Sequence, residues 1–283
     1  MKSASSFLLT LCTWLLFANL AFAAGDISTA DQASGDERSS GGANSANNPV
    51  EPRFTLEYWN YYSPVLNNLD GTAENGLGRI LIPFKIGDVQ QHFHIIPPIT
   101  TNPTATRGQR TGLGDMQIYN FSLGKFDFGL PEKVTLGIGP LIAPVTHTSP
   151  NLGPSRVQAG AAGVIVAPQP WGLLGVLATY QHTLSGPDAQ LITVQPNIFI
   201  NLKDSWYLRS SGIMRFNTGN HTSYIPVGFG LGKVIQLENG YTLNTYIEAQ
   251  PSVYKSGVGA PAFQIFTGIE LQFPTELTSG LKF

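Results

Sequence analysis

The sequence predicts an all-β protein, and within that class an antiparallel transmembrane β-barrel of about 12 strands. Apolar side chains alternate with polar or small ones along many short segments, which is the two-residue period of a β-strand. Charged residues make up only 12% of the chain, against roughly 25% in typical soluble domains. Short and long connections also alternate along the chain, as they do between the periplasmic turns and outside loops of outer-membrane barrels.

The clearest strand signal lies between Gln190 and Val234. The even positions from Ile192 to Leu202 are apolar, apart from Pro196, while polar residues such as Gln195 fall between them. Successive side chains of a strand point to opposite faces of a sheet. An apolar outer face and a polar or small inner face, repeated from strand to strand, are typical of a barrel with lipid outside and a lumen inside.

We predict strands at approximately 54–62, 78–87, 90–99, 113–128, 133–145, 156–167, 172–183, 190–202, 205–216, 224–235, 241–253 and 263–273. The connections 87–89, 129–132, 167–171, 201–205 and 236–240 are short, whereas 63–77, 100–112, 146–155, 184–189, 217–223 and 254–262 are longer and polar. An even strand count places both ends of the barrel in the periplasm. Internal prolines remove ladder donors and are expected to mark bulges or local strand ends: Pro83, Pro97, Pro140, Pro196, Pro226 and Pro251.

Two segments precede the predicted barrel, which spans residues 51–283. Residues 1–23 are predicted to be a cleaved signal peptide, because Lys2 is followed by a short apolar core and an Ala-Phe-Ala sequence that ends at Ala23. Residues 24–50 are rich in Ser, Gly and Asn and are expected to form a flexible periplasmic segment, with a plug as the functional alternative. The role of the tail, residues 274–283, stays open.

Charge and cysteine content restrict the partners. The one cysteine, Cys12, lies in the predicted signal peptide, so the mature chain has neither disulfides nor thiolate metal sites. Cleavage removes one of 16 basic residues and none of the 18 acidic ones, which argues against nucleic acid as a partner. The expected partners are outer-membrane lipid, lipopolysaccharide, the outer-membrane assembly machinery and a small solute. No cofactor is predicted.

Aromatic residues at the strand ends suggest two girdles, one at each membrane interface. One set lies beside short turns and comprises Phe126, Phe128, Trp171, Trp206, Tyr207, Tyr241 and Phe273. The other lies beside long loops and comprises Tyr61, Tyr62, Tyr180, Phe216, Tyr224, Tyr254 and Phe263.

If the apolar faces point to lipid, a set of charged and polar side chains must line the lumen. The charged candidates are Glu57, Arg79, Lys85, Arg209, Arg215, Glu248 and Glu270, and the polar ones are His92, His94, Gln195 and Gln250. These charges could simply pair across the barrel. Alternatively, Arg209 and Arg215 facing Glu248 and Glu270 could form a constriction that selects the solute. Small inward residues, such as Gly228 and Gly232, would leave room for a narrow path or for an inward-folded segment.

Neither a metal site nor a catalytic site is assigned. His92 and His94 share a face, but no third ligand is evident, so they are interpreted as ordinary lumen residues. His221-Thr222-Ser223 has the His-x-Ser spacing of outer-membrane phospholipases, but Tyr224 departs from the Asn-Gly that follows in that family.

Five sequence stretches resemble one known family. They are Thr111-Gly112-Leu113-Gly114-Asp115, Ala167-Pro168-Gln169-Pro170-Trp171-Gly172, Trp206-Tyr207-Leu208-Arg209-Ser210, residues 224–233 and Gly268-Ile269-Glu270-Leu271-Gln272-Phe273. Together they resemble the bacterial outer-membrane family associated with the meta-pathway of phenol degradation, some members of which carry a "neuromedin U" label. The resemblance implies a Gram-negative outer-membrane barrel that takes up small, often aromatic, compounds. It implies no catalytic residues.

The expected function is passive passage of a small, aromatic or hydrophobic solute. Three alternatives stay open at this stage: a closed structural or ligand-binding envelope barrel, an outer-membrane lipid hydrolase and a secreted soluble β protein.

Overall fold

The computed structural model describes residues 42–104, 108–186 and 189–274. The predicted signal peptide, residues 24–41 and residues 275–283 lie outside the described residues. The strand segments are β1 (Thr55–Leu66), β2 (Ala73–Ile86), β3 (Val89–Ile96), β4 (Pro98–Pro103), β5 (Gln109–Leu113), β6 (Gln117–Phe126), β7 (Val134–Ala143), β8 (Gln158–Gln169), β9 (Gly172–Thr183), β10 (Gln190–Asn201), β11 (Trp206–Ser210), β12 (Met214–Asn217), β13 (Thr222–Pro226), β14 (Phe229–Gln236), β15 (Thr242–Ser256) and β16 (Pro261–Gln272).

These segments form a closed antiparallel barrel of 12 strands, which confirms the predicted fold class. The barrel closes between β1 and β16, where Thr55 lies opposite Gln272 and Tyr62 lies opposite Ile265. Four pairs of consecutive segments each lie end to end along the same neighbouring strand, so each pair counts as a single strand. These pairs are β3 with β4, β5 with β6, β11 with β12, and β13 with β14. For example, β2 pairs with both β3 and β4.

Two of the four interruptions coincide with a proline. Between β3 and β4 lies Pro97, which has no N–H for the ladder but accepts a 3.0 Å hydrogen bond from the backbone nitrogen of Gly78. β13 ends at Pro226. The expectation that prolines mark strand ends therefore holds at these two positions, whereas Pro83, Pro140, Pro196 and Pro251 lie inside strands.

The two ends of the barrel differ in their connections. At the short-turn end the connections are 87–88, 127–133, 170–171, 202–205 and 237–241; at the long-loop end they are 67–72, 104–108, 144–157, 184–189, 218–221 and 257–260. Several strands extend further toward the long-loop end than predicted, so that the expected 63–77 loop is reduced to 67–72. Ladder hydrogen bonds continue there through polar residues such as Glu74 and Asn75, whose sequence carries no apolar alternation.

The outer face of the barrel carries large exposed apolar side chains on most strands. Ile138 is 69% exposed and Phe229 is 68% exposed, and further examples are Leu56, Ile142, Ile165, Leu174, Val176, Ile192, Ile198, Ile200, Leu208, Leu231 and Ile247. A continuous apolar surface of this kind matches the lipid-facing band of outer-membrane barrels. Within the described part of the chain, no helix has the length and apolar character needed to cross a membrane.

Candidate functional site: the barrel lumen

A buried ion pair between Arg209 and Glu248 lies in the lumen. The Nε atom of Arg209 donates to Oε2 of Glu248 at 2.8 Å, and the side chains are 4% and 0% exposed. Ser211 donates to the same carboxylate through its backbone N–H at 2.8 Å and through its hydroxyl at 2.7 Å, and Gln250 donates at 3.0 Å. Charge-assisted hydrogen bonds of this number satisfy a carboxylate that would otherwise be costly to bury.

A second buried ion pair, between Arg79 and Glu57, lies in the lumen on two adjacent strands. Arg79 on β2 is directly opposite Glu57 on β1 in the ladder, and its Nη1 donates to Oε2 of Glu57 at 2.6 Å. The guanidinium carbon of Arg79 lies 3.7 Å from the centre of the Trp59 ring. Cation–π contacts at desolvated sites stabilise such a geometry by about 2 kcal/mol.

Aromatic rings connect the two ion pairs. Phe266 contacts Trp59 at 5.4 Å and Tyr246 at 5.3 Å between ring centres, and the guanidinium of Arg209 lies 3.6 Å from the Tyr246 ring centre. Tyr61 stacks on Phe266 at 4.3 Å with parallel rings. We call this set the central cluster, which comprises Glu57, Trp59, Tyr61, Arg79, Arg209, Ser211, Tyr246, Glu248 and Phe266.

Two residues expected in the aromatic girdles belong to the lumen instead. Tyr61 is only 6% exposed and stacks on Phe266 within the central cluster. Tyr207 is 0% exposed and donates a 2.8 Å hydrogen bond to Asn244. Both tyrosines lie near a strand end, as predicted. However, Tyr61 lies on the same inward face of β1 as Glu57, and Tyr207 on the same inward face of β11 as Arg209, because side chains two residues apart point the same way.

Glycines on the inner face make room for these large side chains. A Cβ atom on Gly228 would overlap Oε1 of Glu248, and a Cβ atom on Gly268 would overlap the Tyr246 ring. The small inward residues therefore do not leave an empty path at this level. They accommodate large side chains that extend over them from the adjacent strands.

The two predicted lumen histidines lie together near the short-turn end. Nδ1 of His92 is 2.8 Å from Nε2 of His94, and Nε2 of His92 is 3.0 Å from the carbonyl oxygen of Glu51. His94 stacks on Tyr119 at 4.5 Å and contacts Phe121 at 5.4 Å. Among the described residues, no three or more His, Cys, Asp or Glu side chains lie close enough together to hold a metal ion.

Residues 42–47, which we call the N-terminal helix, lie against the inner wall at the short-turn end, in a packed cluster with the inward side chains of several strands. Ala43 and Ala46 are 1% and 2% exposed. The carbonyl oxygen of Ala46 accepts hydrogen bonds from Gln272 at 3.1 Å and Asn244 at 3.4 Å. Asn44 donates to the carbonyl oxygen of Gln169 at 2.9 Å. Residues 42–50, the end of the segment 24–50 that was expected to be flexible, are thus packed against the inner wall, where alanine methyl groups fit between large inward side chains.

The remaining predicted lumen residues occupy different levels. Gln195 is buried and donates to the carbonyl oxygen of Ser211 at 3.2 Å. Glu270 is buried near the N-terminal helix, where Gln272 donates to it at 2.6 Å. Arg215 is half-buried on β12, and Lys85 is exposed at the short-turn end of β2. The structure therefore brings Arg209 and Glu248 together, whereas Arg215 and Glu270 lie at other levels than this pair.

The aromatic members of the central cluster were not among the predicted site residues. A signal for them was present, because Trp59 is two residues from Glu57, Tyr246 is two from Glu248, and Phe266 is two from Gly268 along strands with a two-residue period. His221 and Ser223, which have the His-x-Ser spacing but were not assigned as a site, are not hydrogen-bonded to each other within the described residues, and Ser223 is paired in β13 opposite Phe216.

Comparison with protein-family models gives no match, and comparison with curated protein sequences gives none either. An outer membrane channel from Pseudomonas putida F1 is similar in structure, with a TM-score of 0.55 at 10% identity over 80% of this chain and 97% of that chain. Outer membrane phospholipase A from Escherichia coli has a TM-score of 0.41 at 15% identity, covering 83% and 98%. The beta domain of the Bordetella autotransporter BrkA has a TM-score of 0.39 at 11% identity, covering 78% and 100%. The similarity to the channel shows that the fold is that of an outer-membrane barrel.

Proposed function

We propose that the protein is an outer-membrane channel through which a small, aromatic or hydrophobic solute passes passively. The observation that carries the proposal is the central cluster, in which two ion pairs and a series of aromatic rings lie side by side along the lumen wall. Aromatic faces and guanidinium groups together form a surface on which a planar solute can stack while its polar atom is hydrogen-bonded. The family resemblance to proteins associated with phenol degradation supports the same class of solute.

The proposal includes a location and an orientation. Export through the signal peptide, residues 1–23, would bring the chain to the periplasm, and the assembly machinery would insert the barrel into the outer membrane. The short-turn end would face the periplasm and the long-loop end the exterior, in contact with lipopolysaccharide. In this orientation the N-terminal helix occupies the periplasmic mouth, and a solute must pass the central cluster before it reaches that helix.

A closed structural or ligand-binding barrel is the second candidate. It is favoured by the burial of the lumen residues, since Glu248, Gln250 and Phe266 are each 0% exposed. A channel with this lumen must displace the N-terminal helix or move side chains of the central cluster. A structural barrel has no need to do either.

Flux through the purified full-length protein in liposomes distinguishes the two candidates. We expect slow passage of phenol and benzoate through the wild type and faster passage through Ala46→Glu, because a carboxylate on the buried side of the helix is costly to desolvate and should expel it. Ala46→Ser, which is close to alanine in size and uncharged, is the control and should behave more like the wild type.

Folding of each variant is checked by the difference in gel mobility between boiled and unboiled samples in SDS, since a closed barrel with every strand paired resists the detergent. If the folded wild type and the folded Ala46→Glu both exclude ions and small aromatics, the barrel is closed and the channel proposal fails.

A further inference from the structure

Three side chains with complementary chemistry meet at the long-loop end, outside the lumen site. The connection 144–157 folds back onto the barrel edge, where the backbone N–H of Thr148 donates to the carbonyl oxygen of Leu113 at 3.0 Å. This contact brings His147 and Ser155 beside Asp115, which lies in the interruption between β5 and β6. His147 and Ser155 belong to the same loop, and they reach Asp115, which lies 32 residues before His147, because the loop folds back.

Their geometry is that of an acid, a base and a nucleophile in a row. Oδ1 of Asp115 lies 2.7 Å from Nδ1 of His147 and accepts hydrogen bonds from the backbone N–H groups of Thr146 at 2.9 Å and His147 at 3.0 Å. On the other side of the imidazole, Nε2 of His147 lies 3.2 Å from the hydroxyl oxygen of Ser155. A carboxylate only accepts, so Nδ1 carries the proton and Nε2 is left to accept from the serine.

Burial and backbone conformation separate the base from the nucleophile. The side chains of His147 and Asp115 are 7% and 9% exposed, whereas Ser155 is exposed to the exterior. Ser155 has a φ of 44°, in the left-handed region that residues other than glycine seldom adopt and that is enriched at functional sites. The loop passes so close to the pair that a Cβ atom on Gly153 would overlap both Asp115 and His147.

We propose that Asp115, His147 and Ser155 form a hydrolytic site for carboxylic esters with an apolar acyl group. The arrangement matches the roles of a serine nucleophile, a histidine base and an orienting carboxylate, which recur on unrelated folds and are recognised by geometry. Val157 and Leu184 are 37% and 57% exposed, and their backbones are joined by a 3.0 Å hydrogen bond close to Ser155. They supply an apolar surface for the acyl chain.

The reaction proceeds in two balanced steps. The hydroxyl oxygen of Ser155 attacks the ester carbonyl carbon while its proton passes to Nε2 of His147; the proton then goes to the alkoxide, which leaves as the alcohol. Water next gives a proton to Nε2 and attacks the acyl-serine, so that the carboxylic acid is released and Ser155 regains its hydrogen. Asp115 holds Nδ1–H throughout and stabilises the imidazolium. One ester and one water become one acid and one alcohol.

A purely structural role predicts different behaviour from these residues. The Asp115–His147 pair would hold the loop in place whether or not Ser155 were present, and an ordinary exposed serine would not react with a phosphonylating reagent. Reactivity of the serine toward such a reagent therefore reports catalysis rather than loop stability.

The test uses the full-length folded protein and a fluorophosphonate probe, followed by peptide mass spectrometry. We expect covalent labelling of Ser155, and loss of it in Ser155→Ala and His147→Ala. Ser185→Ala is the matched control, because Ser185 is also exposed in a long loop and is near Ser155 through the hydrogen bond that Arg156 donates to its carbonyl oxygen at 2.8 Å. It should label like the wild type.

Hydrolysis gives the second readout and separates the sources of the ester. Release of p-nitrophenol from p-nitrophenyl butyrate should fall by about 10²–10⁴-fold in Ser155→Ala, because without the hydroxyl group at least the contribution of general-base catalysis by His147 is lost. Phosphatidylethanolamine vesicles, assayed for free fatty acid, test lipid as the substrate; activity on the soluble ester alone points to a small diffusible ester. The proposal is overturned if the folded wild type is not labelled and hydrolyses neither p-nitrophenyl butyrate nor phosphatidylethanolamine. It is also overturned if Ser155→Ala is labelled, or hydrolyses these esters, as well as the wild type does.

Discussion

The central cluster and the N-terminal helix both fill the lumen, but they are attached to the wall in different ways. In the cluster, the Glu248 carboxylate accepts from Arg209 and Ser211 at 2.7–2.8 Å and is completely buried. The helix contributes alanine methyl groups and longer neutral hydrogen bonds, such as 3.1 Å from Gln272 to the carbonyl oxygen of Ala46.

This difference separates a permanent part of the lumen from a removable one. Leaving one member of a buried ion pair without its partner costs about 3–5 kcal/mol. A neutral hydrogen bond contributes about 1 kcal/mol and a buried methyl group about 0.8 kcal/mol. The central cluster should therefore stay in place under conditions that release the helix.

The largest expected effect comes from Glu248→Ala, which leaves Arg209 buried and unpaired. We expect a loss of about 3–5 kcal/mol in the free energy of unfolding, measured by urea titration in detergent. The double variant Arg209→Met with Glu248→Ala removes the uncompensated charge and should recover part of this loss. A Glu248→Ala protein as stable as the wild type would show that the two lumen regions do not differ as described.

An intermediate effect is expected from Gly228→Ala, because the added methyl group would overlap the Glu248 carboxylate. Overpacking of this kind costs about 1–3 kcal/mol. Gly163→Ala is the matched control, since a Cβ there lies 3.8 Å from its nearest neighbour, the carbonyl oxygen of Gly137. Equal urea midpoints for the two variants would contradict the close packing of the cluster.

The smallest effect on barrel stability is expected from Asn44→Ala. It removes the hydrogen bond to the carbonyl oxygen of Gln169 and the one accepted from Asn201, both 2.9 Å. Each is worth about 1 kcal/mol and holds only the helix. The change should be seen instead in the helix: in an Ala46→Cys background, Asn44→Ala should speed maleimide labelling of the cysteine by about 5-fold or more.

A surface cysteine, Ser185→Cys, is the control. Its maleimide labelling rate should be the same with and without Asn44→Ala. If both cysteines label at unchanged rates, the helix is held as firmly as the wall, and the contrast between the two regions disappears.

Local patterns predicted much of the barrel. The alternation from Ile192 to Leu202 correctly separates exposed from buried faces, since Ile192, Ile198 and Ile200 are exposed and Gln195 is buried. The same period placed Arg209 and Glu248 on inner faces. It missed the continuation of β1 to Leu66 and of β15 to Ser256, because the strands beyond the apolar band are held by ladder hydrogen bonds rather than by an apolar face.

What the sequence by itself determined is the fold class, the strand order and the inward or outward side of most residues. These follow from a period of two residues, which is a local property of the chain. Only the tertiary structure decided which residues meet: Arg79 with Glu57 through ladder register, Arg209 with Tyr246 past the glycines of the intervening strand β14, and Asp115 with His147 through a folded loop. The register between strands, the closure of the barrel and the folding of a loop back onto its edge depend on distant parts of the chain, so periodicity along one strand carries no information about them.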